Sequence, residues 1–246
     1  MQELALSAFL SSVALPFTRE EFFGVFSLYN GTIWPTQVGL YAIAVVGALL
    51  AFQRSERSSR AALVVLAVLW LWMGVVYHGA FLLLINPLAP LFAAAFIAQG
   101  LLFAYFASRR KPPVIAPTRS VIGWAGGALI LIGLVFYPAA SALAGHHYPA
   151  QPTFGLPCPT TIFTLGMLLW AADSLPRNVF AIPLFWTIVG SIAAKQLGVP
   201  EDFLLIVAFA TTAILLAVRP SLKQPASIGR KSHEIVERRL KLYERE

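Results

Sequence analysis

"NPLAPLFAAAFIAQGLLFAYFASRRK", Asn86 to Lys111, decides the class of fold. From Pro87 to Ser108, 22 residues pass without a charge, and Arg109, Arg110 and Lys111 follow at once. A helix rises about 1.5 Å per residue, so such a run covers the roughly 30 Å hydrocarbon core of a bilayer. The cationic stop is what a membrane interface favours at a span's end. The stretch reads as a transmembrane helix.

Working outward, the rest of the chain repeats the pattern. Of 246 residues, 58% are hydrophobic and only 12% charged, with a mean hydropathy of +0.75. Soluble domains carry about 25% charged residues, so too little charge is present to cover a water-facing surface. A transmembrane barrel needs segments of alternating polarity, whereas the runs here are continuous. The expected fold is an all-α, polytopic transmembrane bundle of seven spans at 35–52, 61–81, 87–108, 121–143, 159–172, 179–194 and 203–218. Residues 1–34 form an N-terminal segment before the bundle, and 219–246 a basic tail after it.

The loops set the orientation. Arg54, Arg57 and Arg60 follow the first span, Arg109, Arg110, Lys111 and Arg119 the third, Arg177 the fifth, and eight Lys/Arg of the tail the seventh. Only Arg19 and Lys195 fall on the other side, so sixteen cations oppose two. By the positive-inside rule the N-terminus is outside and the C-terminus inside. Glu3, Glu20, Glu21, Glu201 and Asp202 then make the outer face mildly acidic. The tail supplies +4 of the net charge of +7; beside a span this suggests anionic lipid, not nucleic acid. A secretory leader is not expected, because Glu3 stands where a cationic segment would precede the apolar "LALSAFLSSVAL".

Before the first span, Thr18 and Glu21 form a capping box, and Phe17 can staple onto Phe22. Phe22, Phe23, Phe26 and Tyr29 recur near helical spacing, and Asn30-Gly31 supplies a stop. So short a helix is expected to lie amphipathically on the outer interface. In the tail, Glu234 with Arg238 and Glu237 with Lys241 favour a short helix. Gly123 and Gly127 in the fourth span form a small-xxx-small pattern suited to close helix packing.

The chemistry-bearing residues gather on the outer side. "GHHYPAQPTFGLPCPTT", Gly145 to Thr161, carries His146, His147, Tyr148 and the only cysteine, Cys158, and His78 lies near the outer end of the second span. Imidazole and thiolate are ligands for zinc or copper, so His78, His146, His147 and Cys158 are the candidate metal ligands. Tyr77, Asn86, Tyr148, Thr160 and Thr161 could add contacts to a small ligand. The bland alternative is that the histidines are solvated or packed and the stretch is a stiff, proline-rich lid.

Sharper chemistries find no support. The spans hold no midplane carboxylate or lysine, Asp173 and Lys195 lying near span ends, which disfavours a proton-coupled pump. The last span has no lysine for retinal, and only His78 lies inside a span, one short of a bis-histidine haem. A phosphate-binding glycine loop and an HExxH motif are both missing.

Three stretches, "LPFTREEFFGVFSLYNGTIWPTQ", "YHGAFLLLINPLAPLFAAAFIAQGLLF" and "HHYPAQPTFGLPCPTTIFTLG", together resemble an uncharacterised bacterial multi-pass membrane family, a domain of unknown function, over roughly residues 15–220. The resemblance implies a bacterial inner-membrane location and supplies no activity and no site residues. The residues themselves favour a non-catalytic protein whose outer face binds, or passes inward, a small ligand or metal ion. An accessory or scaffold subunit, docking on a membrane-protein partner or on copies of itself, is the alternative. A membrane-embedded enzyme comes third.

Overall fold

A computed structural model describes residues 15–218. The chain divides after Leu216 into two units, and the architecture below is that of the first. The first residues of the N-terminal segment, before residue 15, and the expected tail helix lie outside the described residues.

Among the described residues the structure is all-helical, in eight consecutive helices. They are α1 (Arg19–Ile33), α2 (Thr36–Ala51), α3 (Glu56–Leu84), α4 (Ala89–Ser108), α5 (Val121–Leu143), α6 (Pro157–Trp170), α7 (Arg177–Leu197) and α8 (Pro200–Val218). Five of them, α3, α4, α5, α7 and α8, are long and apolar enough to cross a membrane. The expected count was seven. Helix α2 meets α1 at a bend of 87°, and the pair counts as a sixth candidate only if taken as one broken span. Helix α6, the expected fifth span, has 14 residues and so rises only about 21 Å. Every residue of α6 except Cys158 is buried. Its neighbours, not lipid, solvate it, so its length need not match a bilayer.

Local sequence explains the helix ends. Thr18 Oγ1 accepts from the Glu21 amide at 3.2 Å while Glu21 Oε2 accepts from the Thr18 amide at 2.7 Å, and Phe17 stacks on Phe22 at 5.8 Å. The capping box and staple are both formed. The stop expected at Asn30-Gly31 is not used: α1 runs on to Ile33. Asn30 is instead a buried hub. Its amide donates to the carbonyls of Pro149 (2.6 Å) and Gln151 (2.8 Å), and its Oδ1 accepts from Thr153 (2.7 Å). Those three bonds outweigh the residue's modest preference for a helix end. Helix α1 buries Phe22, Val25, Phe26, Tyr29 and Ile33, and the Tyr29 hydroxyl accepts from the Trp72 indole at 2.8 Å. It therefore packs on the bundle along a full apolar stripe.

Two helices leave α geometry. Residues Met73–Phe81 of α3 and Ile132–Phe136 of α5 are wound as π-helix. In α5 the departure precedes Pro138, which has no N–H for the Leu134 carbonyl. The Tyr41 hydroxyl from α2 donates to that carbonyl at 2.8 Å, so the proline tethers two helices instead of leaving a buried acceptor unmet.

Helices α5 and α6 approach each other closely at two glycines. A Cβ on Gly126 would lie 2.6 Å from the Trp170 ring, and one on Gly166 2.6 Å from the Gly126 carbonyl. The expected pair, Gly123 and Gly127, does not make this approach: Gly123 sits against Thr118, and Gly127 has its nearest neighbour at 3.7 Å. Trp70 of α3 centres the main core, stacked on Phe96 at 4.5 Å and donating to Thr164 Oγ1 at 3.0 Å.

The connections collect at two ends. At one, Arg54 Nη2 donates to the Pro117 carbonyl at 2.8 Å, Arg60 donates to that of Ala107, and Ser174 Oγ to that of Val114 at 2.9 Å. The loops carrying most of the described cations thus meet each other. At the opposite end α1, the 144–156 loop, and the turn between α7 and α8 come together.

Candidate functional site

The α7–α8 turn builds the chemistry at this second end. Helix α7 stops where Gly198 takes the left-handed conformation, φ 64° and ψ 48°, which favours glycine. The chain then reverses through the tight helical turn Pro200–Phe203. This carries Glu201 and Asp202 inward, where they are 2% and 3% exposed. The sequence reads both only as charges that make the outer face mildly acidic; it does not show that they are buried. Residues more than forty positions away surround them, which local spacing does not show.

Tyr137 and Ser141 lie four residues apart on α5 and so share one face. The Tyr137 hydroxyl donates to Asp202 Oδ1, and Ser141 Oγ to Glu201 Oε1 at 2.8 Å. His146 Nδ1 meets the same Glu201 oxygen at 2.7 Å, its ring resting on Phe23 at 4.5 Å. Cys158 stands on the same cavity wall as Asp202. Buried carboxylates are costly unless they accept such donors. One oxygen is left over: Glu201 Oε2 is buried with no partner.

Asp202 and Cys158 also line a cavity of about 390 Å³. Its wall is mostly apolar and aromatic, from Phe22 and Phe26 of α1, Tyr77 of α3, Phe92 of α4 and Trp186 of α7, with Asn86 at its edge. That volume and a few polar groups in an apolar wall are typical of small-molecule sites. A second cavity of about 320 Å³ lies across Pro152 and Pro159, which border both, and is lined by Tyr41, Tyr137 and Tyr148. The Tyr137–Asp202 bond therefore links a residue of one cavity wall to a residue of the other.

The expected metal ligands are dispersed. His78 is fully buried in the π-wound part of α3, with neither ring nitrogen hydrogen-bonded, among Tyr77, Phe92, Phe96 and Trp186 at 4.5–5.8 Å between ring centres. His146 joins Glu201, His147 is exposed, and Cys158 faces the cavity. Among the described residues no three His, Cys, Asp or Glu side chains stand together as a metal-binding group. A zinc or copper ion would find no complete ligand set there.

Of the expected ligand contacts, Tyr77 and Asn86 line the larger cavity and Tyr148 the smaller. Thr160 and Thr161 do not line either: Thr160 Oγ1 accepts from the Gly155 amide at 3.1 Å, and Thr161 Oγ1 is buried without a partner. The residues missed in the sequence are Glu201, Asp202, Tyr137, Ser141 and Trp186. One signal was present: an acidic pair directly before an apolar run, and two hydroxyls at helical spacing near the end of another. No described histidine hydrogen-bonds Cys158 as a general base would: His146 bonds Glu201, and neither ring nitrogen of His78 has a partner.

The sequence model of a family of unknown function (DUF6064) matches residues 19–227, and the chain belongs to that family. No curated protein and no solved structure matches it.

Proposed function

We propose that the protein is a seven-span protein of the bacterial inner membrane, N-terminus out, whose outer end binds a small, mainly apolar ligand without chemically altering it. The apolar cavity with Asp202 and Cys158 in its wall carries this reading. Support for the topology comes from the sixteen-to-two charge asymmetry and from the basic loops bonding one another at one end. Seven alternating crossings require that gathering. The metal alternative weakens because the four candidate donors go to separate places; an organic ligand needs only the cavity.

Cys158 is the chain's only cysteine, so its modification reports directly on the cavity. In lipid nanodiscs, methyl methanethiosulfonate should modify Cys158, and octyl amphiphiles should slow that reaction saturably. The panel is octyltrimethylammonium, 1-octanol and octanoate. Ala193→Phe fills the cavity from α7 and should abolish protection. If no member of the panel protects the wild-type thiol, the cavity is not a ligand site and the reading fails.

A further inference from the structure

The charge around the larger cavity specifies its ligand further. No lysine or arginine lines it, and Asp202 is the single ionisable carboxyl in its wall. The hydrogen-bond partner of Asp202, the Tyr137 hydroxyl, is a neutral donor. Its neighbour Glu201 has the His146 imidazole as its one ring partner, and that interaction uses Oε1. Glu201 Oε2, in a residue 98% buried by its 2% exposure, finds no donor at all. Two adjacent carboxyls, with one imidazole on Glu201 and no lysine or arginine in the cavity wall, leave the site short of both positive charge and hydrogen-bond donors. The wall that holds Asp202 also carries Phe22, Phe26, Tyr77, Phe92 and Trp186, and aromatic walls attract cations, most strongly where water is excluded.

We propose that the cavity takes an organic cation: an amphiphilic amine or quaternary ammonium whose charged head sits at Asp202 while its apolar body lies along the aromatic wall. This rests on the cavity being a ligand site, as proposed above. A carboxylate or phosphate head is opposed by the acidic pair. A neutral head leaves the missing charge unsupplied, and a proton must then do the work of the ligand.

The same protection assay separates the two levels. Octyltrimethylammonium should protect Cys158 at a concentration about tenfold below that of 1-octanol, a difference readily resolved in such a titration. Octanoate should protect least. Asp202→Asn keeps the oxygen that accepts from Tyr137 and removes the charge, so it should bring the cation and the alcohol to equal potency. Glu201→Gln, which leaves the cavity wall intact, is the second variant. It should weaken the cation about threefold and leave the alcohol unchanged, because it removes only the more distant of the two charges. Equal protection by all three amphiphiles in the wild type, with Ala193→Phe still blocking them, overturns the cation assignment and keeps the cavity. Octanoate binding best, or a cation preference untouched by both carboxyl variants, overturns it as well. Protection by none removes both proposals together.

Discussion

The two ends of the bundle handle charge in opposite ways. At the basic end Arg54 and Arg60 reach backbone carbonyls of the 107–117 region, and Ser59 Oγ accepts from the Ile115 amide at 3.0 Å. Cations on long stems stay near water while their heads close off loose carbonyls, an arrangement that costs little. At the other end two carboxyls are drawn into the protein and surrounded by Tyr137, Ser141, His146 and Cys158. Desolvating such groups works against stability, and ionisable residues kept inside a membrane-type bundle mark function by default. The first end carries its charge at little cost; the second carries it at a desolvation penalty.

Topology gives the sharpest way to break this contrast. A reporter active only in the cytoplasm should work when fused after Glu246 and be silent when inserted at Ala150, an all-or-none difference. The reverse pattern would put the acidic pair on the cytoplasmic side and remove the outer-face reading. A smaller effect is expected inside the acidic cluster. Tyr137→Phe takes a donor from buried Asp202 and should lower stability by about 1–3 kcal/mol, read by chemical denaturation in detergent. No change would mean that Asp202 does not depend on that bond, and the cluster would lose its claim to be a tuned site. The smallest effect belongs to the basic end: Arg54→Met should stay within about 0.5 kcal/mol of wild type in the same assay. A loss as large as that of Tyr137→Phe would erase the distinction between the ends.

Much of the fold was legible because membrane helices announce themselves locally. The capping box at Thr18, the apolar run now seen as Ala89–Ser108, and the cationic loops each depend on residues within a turn or two of one another. Helix α6 shows where that stops. An apolar run says that a segment avoids water, not whether lipid or protein surrounds it, and α6 is surrounded by protein. The site was harder still. His146 and Cys158 were singled out for their ligand chemistry, yet the groups they meet, Glu201 and Asp202, are 55 and 44 positions further along. In the sequence the carboxyls are no more than charges that make the outer face mildly acidic. Only the left-handed turn at Gly198 and the hydroxyls of α5 turn them inward. His78 was correctly placed in a span, but its ring of aromatic neighbours comes from α4 and α7 as well as its own helix.

The π-wound stretch of α3 has a consequence for chain length. Its buried residues come in adjacent couples, Met73 and Gly74, Tyr77 and His78, then Phe81 with Leu82 just beyond. Successive couples are four positions apart, wider than the 3.6 of an α-helix, because each π bond spans five residues where an α bond spans four. Removing one residue anywhere in Met73–Phe81 would let the ladder relax toward ordinary winding. Each couple would then drift around the axis, and Tyr77 and His78 could no longer both face inward. In this stretch the number of residues, more than their identity, sets which side chains the cavity sees.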